Sequence, residues 1–165
     1  MTLRFNAFGR VLLLSMATLI PAMWENSSLA AGYSEEVVEK AGPFIIHRIF
    51  EKGIFNRCAA TLQPGKNMLR VAYTVDHVYS ISVPGVRKSE NLQMDFNDME
   101  SFSFRAATNG ERTWAAWGSP AVETLRNARE SINISVGGRD FSWNIGNTSM
   151  RRVMAAVEDC VQNSQ

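Results

Sequence analysis

The sequence predicts an α+β protein: an antiparallel β-sheet or sandwich of about seven or eight strands, with a helix before the last hairpin and an amphipathic helix at the C-terminus. Three observations predict it. Between residues 44 and 145 the chain is crossed by short runs in which apolar and polar side chains alternate, the period of a half-buried strand. Ser119-Pro120 opens a segment with helical spacing. Met150, Val153, Met154, Val157 and Cys160 or Val161 recur at intervals of three and four, the stripe of a helix laid on a core.

The elements follow in order. "YSEEVVEK" (33–40) predicts a short helix over 34–40. Ser34 serves as its cap, Glu35 and Glu36 suit its positive end, Tyr33 staples onto Val38, and Pro43 ends it. "FIIHRIF" (44–50) and "FNRCAATL" (55–62) read as strands separated by a turn at Gly53. In "NMLRVAYTVD" (67–76), Leu69, Val71, Tyr73 and Val75 fall on one face. "HVYSISV" (77–83) either continues that strand or pairs with it. "LQMDF" (92–96) and "SFSFRAA" (101–107) alternate as well, and "NGE" (109–111) turns the chain into "RTWAAWG" (112–118). A helix is predicted over about residues 120–130, with Ser119 as its cap. "SINISVGGRDFSWNI" is the best-supported unit, a hairpin about Gly137-Gly138. Its buried face carries Ile132, Ile134, Val136, Phe141, Trp143 and Ile145. Thr148 or Ser149 caps a last helix over 149–161.

Residues 1–30 form a different kind of segment. Arg4 and Arg10 precede the apolar run "VLLLSMATLIPAM", and Ser28 and Ala30 supply the small residues of a cleavage site. These are the parts of a secretory signal peptide. The run is too short for a spanning helix. Residues 31–165 are then a single exported domain, periplasmic or secreted, with no stable membrane insertion. That domain carries 15 basic and 15 acidic residues. A balanced charge argues against nucleic acid as a partner. Cys58 and Cys160 are the only cysteines. In an oxidising compartment an even count reads as a disulfide, here closing a loop of roughly a hundred residues and worth about 4.7 kcal/mol in the chain-entropy model. Two free thiols or an intermolecular bridge are the alternatives.

No constellation announces a reaction. His47 sits in an apolar run and reads as packing. His77 follows Asp76, but neighbours on a strand point to opposite faces. There is no G-x-S-x-G motif, and "GSP" (118–120) is explained as a helix start. Asp95, Asp98 and Glu100 share a loop without EF-hand spacing, so it reads as solvated. No metal and no cofactor is expected. The candidate binding surface is Trp114 and Trp117, with the basic pair Arg87-Lys88. A spacing of three puts the two tryptophans on different faces of a strand, so at least one is a candidate for exposure.

The segment "AVETLRNARESINISVGGRDFSWNIGNTSMRRVMAAVEDC" (121–160) resembles the invasion-associated locus B (IalB)-like exported proteins of alphaproteobacteria. In that family a short helix precedes a strand, followed by an apolar strand, a glycine, an alanine-rich helix and a terminal cysteine. This chain has one cysteine pair where members often have more. The resemblance implies a periplasmic or secreted β-rich protein linked to the envelope or to host contact, and it transfers no functional residue. The expected function is that of a non-catalytic protein binding another protein or an envelope component. The alternative is an inhibitor or immunity protein against a cell-wall hydrolase such as lysozyme, presenting the loop "VPGVRKSENL" (83–92) or the acidic loop (95–100). A small hydrolase using two carboxylates is the third class.

Overall fold

The computed structural model describes residues 32–97 and 101–165. The predicted leader, and Asp98 and Glu100 of the acidic loop, lie outside the described residues.

The first element corrects the sequence reading. Residues 34–40 are not helical: β1 (Tyr33–Ala41) pairs antiparallel with β2 (Phe44–Glu51). Ala41 faces Phe44, so Gly42-Pro43 is a two-residue hairpin turn, and Gly42 takes the positive φ of +61° that the first position of such a turn requires. A helix of about two turns here would have had only Val37 and Val38 to bury. As a strand the segment satisfies the backbone of β2. Its charges suit an outer strand, where Glu35, Glu36, Glu39 and Lys40 discourage pairing with another chain.

The remaining strands are β3 (Ile54–Leu62), β4 (Leu69–Thr74), β5 (Tyr79–Pro84), β6 (Gln93–Phe96), β7 (Phe102–Arg105), β8 (Ala107–Thr108) and β9 (Arg112–Trp117), then β10 (Glu130–Val136) and β11 (Arg139–Gly146). They form two antiparallel sheets, one of seven strands in the order β1-β2-β3-β4-β5-β9-β8 and one of four in the order β11-β10-β6-β7. The α+β class thus holds, with eleven strands among the described residues divided between two sheets. "HVYSISV" pairs back onto the preceding strand as β5.

Helix α1 (Ser119–Asn127) begins one residue earlier than predicted. Gly118 is its N-cap and no side chain caps it, so Ser119 lies inside the first turn beside Pro120. It also stops short of residue 130, because Glu130 already pairs with Gly146 in the β10–β11 hairpin. Helix α2 (Met150–Gln162) is capped by Ser149, whose hydroxyl accepts from the Arg152 N–H at 3.4 Å.

The four-stranded sheet and both helices lie together on one face of the seven-stranded sheet and share one apolar core. Trp117 of β9 is buried there, stacked on Phe104 of β7 and tilted against Phe96 of β6. Trp143 is buried too, and its Nε1–H donates to the Asn67 carbonyl at 2.6 Å, fixing β11 to the β3–β4 loop. The α2 stripe Met150, Val153, Met154, Val157, Cys160 and Val161 is buried in full. Cys160 is bonded to Cys58 of β3 with their Cα atoms 6.1 Å apart, so the expected intrachain bond is formed. Glu158 of α2 takes a hydrogen bond from the Tyr79 hydroxyl of β5 and pairs with Arg126 of α1. One carboxylate thereby joins sheet and both helices. At the far end of the sheet Gly85 is a glycine of necessity: a Cβ there would lie 1.9 Å from the Gly110 carbonyl oxygen.

Candidate functional site

The other face of the seven-stranded sheet carries no second layer among the described residues, and its side chains follow from strand parity. In β9, Thr113, Ala115 and Trp117 face the core, so Arg112, Trp114 and Ala116 point away. Residues directly opposite one another across a ladder share a face. The register therefore lines up Ile45, Thr61, Arg70, Ser82 and Trp114 in one row, and His47, Ala59, Ala72, Ser80 and Ala116 in the next.

At the β1 side of this face a polar network closes on itself. The Arg70 guanidinium grips Glu35 with two hydrogen bonds, at 2.6 and 3.0 Å, donates to Thr61 Oγ1 at 3.1 Å and to the Tyr33 hydroxyl at 3.1 Å. Tyr33 donates in turn to Glu35. Tyr33 also packs on Ile49, Ala59 and Ala72, which are buried although they lie on the outward face. Burial pushes the Glu35 carboxyl up, but the bonds from Arg70 and Tyr33 outweigh it and hold the group below its ordinary range. His47 Nδ1 lies 3.5 Å from Glu35 and makes no hydrogen bond with it. Burial keeps its pKa low, against the pull of Glu35 and with the push of Arg70.

Arg112 is different. Its Nε and Nη2 both donate to Ser82 Oγ, at 3.0 and 2.7 Å, and Nη1 donates to the Met68 carbonyl at 2.7 Å. All of these acceptors are neutral. Among the described residues no carboxylate pairs with it. Burial, and then the charge of Arg70, push its pKa down to about 10, so it remains a cation at neutral pH. Among the described residues three of its five N–H groups are spent and two are left. The Ser82 hydroxyl proton is left too, because among the described residues Ser82 acts only as acceptor. Trp114 stands two residues along the same strand, directly opposite Ser82, with 40% of its surface exposed.

The residues singled out in the sequence are thus separated. Trp114 is on the open face. Trp117 is not part of any surface: the opposite parity sends it into the core, where it is 6% exposed. Arg87 and Lys88 are exposed in the β5–β6 loop and line an open groove of about 410 Å³ with Asn91, Asp95 and Gly137, which does not include Trp114. His77 sits in the β4–β5 turn with Nδ1 3.0 Å from the Tyr73 hydroxyl. No group of three His, Cys, Asp or Glu among the described residues is arranged to hold a metal ion. Sequence reasoning missed Arg112. Its position two residues before Trp114 in an alternating run was the available signal, but its partners come from β5 and the β3–β4 loop.

No protein-family model, no curated protein and no solved structure matches the chain.

Proposed function

We propose that the chain is an exported, non-enzymatic binding protein that engages a protein or an envelope component through the open face of its seven-stranded sheet. The observation that carries this reading is the pair on β9: an indole left 40% exposed beside a guanidinium that has no carboxylate partner among the described residues. Aromatic and arginine side chains together are what binding hot spots are made of. The leader-like segment, the disulfide and the resemblance to IalB-like proteins support the export half of the reading.

The test uses the full-length chain expressed from Met1, with a photo-crosslinking amino acid at position 114 or, as control, at exposed Ser142. The expected result is a discrete adduct in the envelope fraction from position 114 alone, on protein whose N-terminus has been trimmed. Equal labelling from both positions, or no labelling, overturns the reading.

One observation favours a second reading, inhibition of a cell-wall hydrolase. Residues 87–91 are all exposed, and Val86 and Leu92, buried on either side, pin the loop at both ends. A pinned loop carrying Arg87 and Lys88 suits a cleft lined by two carboxylates. Charge reversal at both positions should then abolish lysozyme inhibition. A wild-type protein that leaves lysozyme activity unchanged rules this reading out.

A further inference from the structure

We infer that the open face binds a carboxylate-bearing polysaccharide, with a sugar ring on Trp114 and its carboxylate on the free N–H groups of Arg112 and the hydroxyl of Ser82. This rests on the proposed binding face and names its ligand. Charge comes first. The described network on this face holds two guanidinium groups and one carboxylate, and Glu35 is fully engaged by Arg70. The remaining positive charge sits on Arg112, partly withdrawn from water and bonded, among the described residues, only to neutral oxygens. Such a cation is stabilised by an anion that reaches it, and a guanidinium fork fits a planar carboxylate best.

Shape selects the rest of the ligand. The ground around Trp114 is made of small side chains: Ser82 opposite it, Ala116 beside it, Ala107 opposite it on the other flank, and Ser80 opposite Ala116. A flat aromatic ring rising from a floor of small residues is a platform for another flat body. Extended peptides dock on sheet edges, where unpaired backbone groups receive them. Trp114 and Arg112 lie on a strand with a neighbour on each side, β5 and β8, so the backbone there is already paired. A pyranose ring needs no backbone pairing. It presents C–H groups to the indole face and hydroxyls and a carboxylate at its rim, within reach of Ser82 and Arg112.

The test measures binding of the full-length gene product, purified after export, to oligogalacturonate, to the same oligomer methyl-esterified, and to polyglutamate. Oligogalacturonate should bind saturably. Esterification should weaken it at least about tenfold, the effect of removing one charge-assisted pair. Arg112→Gln and Trp114→Ala should each weaken it about tenfold or more. Arg112→Lys should recover only part of the loss, because the charge returns without the fork. Since Arg112 also holds the Met68 carbonyl, Ser82→Ala and Trp114→Ala serve as variants that leave that bond in place, and thermal melts verify folding. Binding indifferent to Arg112→Gln or to esterification overturns the inference. So does polyglutamate binding as tightly as the glycan, which would identify an acidic peptide instead. If crosslinks form at position 114 while no acidic glycan binds, the ligand class is wrong and the binding face stands. If neither occurs, both fail.

Discussion

Breaking the Cys58–Cys160 bond should remove a large share of the stability of this protein while leaving its folded structure almost unchanged. The bond spans 102 residues of sequence. In the chain-entropy model, releasing a loop of that length lets the unfolded chain regain freedom worth about 4.7 kcal/mol. Against a typical total of about 5–15 kcal/mol, that is roughly three tenths or more. The folded side of the balance should change little. Five other residues of the α2 stripe, Met150, Val153, Met154, Val157 and Val161, are buried without help from sulfur. Glu158 holds the helix to Tyr79 and Arg126 independently. Both cysteines are themselves buried, so reduction should proceed through unfolding rather than at the surface. The assay is urea unfolding followed by tryptophan fluorescence and far-UV circular dichroism, with and without a strong reductant. The expected outcome is a lower midpoint, about 3–5 kcal/mol less stability and an equal or larger m-value, because the reduced unfolded chain is more expanded. The reduced protein should keep its helical signal in the absence of urea. A loss below about 1 kcal/mol would refute the entropic argument, since a loop this long has the most to lose. Loss of α2 on reduction in native buffer would show that the bond holds the folded state and not the unfolded one.

Acid should weaken the protein in two separable steps. His47 has a depressed pKa in the folded state, so its contribution is intact above its ordinary value of 6.5 and is lost as pH falls below that toward the folded value. Glu35 is also depressed, so its contribution is present above about 4.5 and is lost as pH falls through the folded value. His47→Gln should erase the first step and Glu35→Gln the second, read from melting temperatures between pH 8 and pH 3. A profile unchanged by either substitution contradicts the burial and pairing described. Gly85→Ala should cost about 3 kcal/mol or more, the upper range of overpacking, because its methyl would overlap the backbone at Gly110. A chemical-denaturation midpoint equal to wild type would show that the two loops separate freely.

How much of this could be read from the sequence depended on the range of the interaction. The β10–β11 hairpin was legible because its alternation and its Gly137-Gly138 turn are local, and Ile132, Ile134, Trp143 and Ile145 are buried as predicted. The disulfide was legible because two cysteines allow one pairing. β1 was misread because Ser34, Glu35 and Glu36 imitate a helix start, and Gly42-Pro43, which reads equally well as a helix stop, is in fact the hairpin turn onto β2. The two tryptophans could be assigned to opposite faces by parity, but which face meets the core depends on where Phe96 and Phe104 arrive. The Arg112 site was the least legible. Its hydrogen-bond partners lie 30 and 44 residues back, at Ser82 and Met68, and no local pattern encodes which strand a given strand will join.

The bond between β3 and α2 also turns residues 58–160 into a closed ring that contains every strand from β4 onward, α1 and all but the last two residues of α2. A protease that cuts within the exposed 87–91 stretch therefore opens the ring without dividing the molecule. The nicked protein stays one covalent body on a non-reducing gel and falls into two pieces only when the sulfurs part.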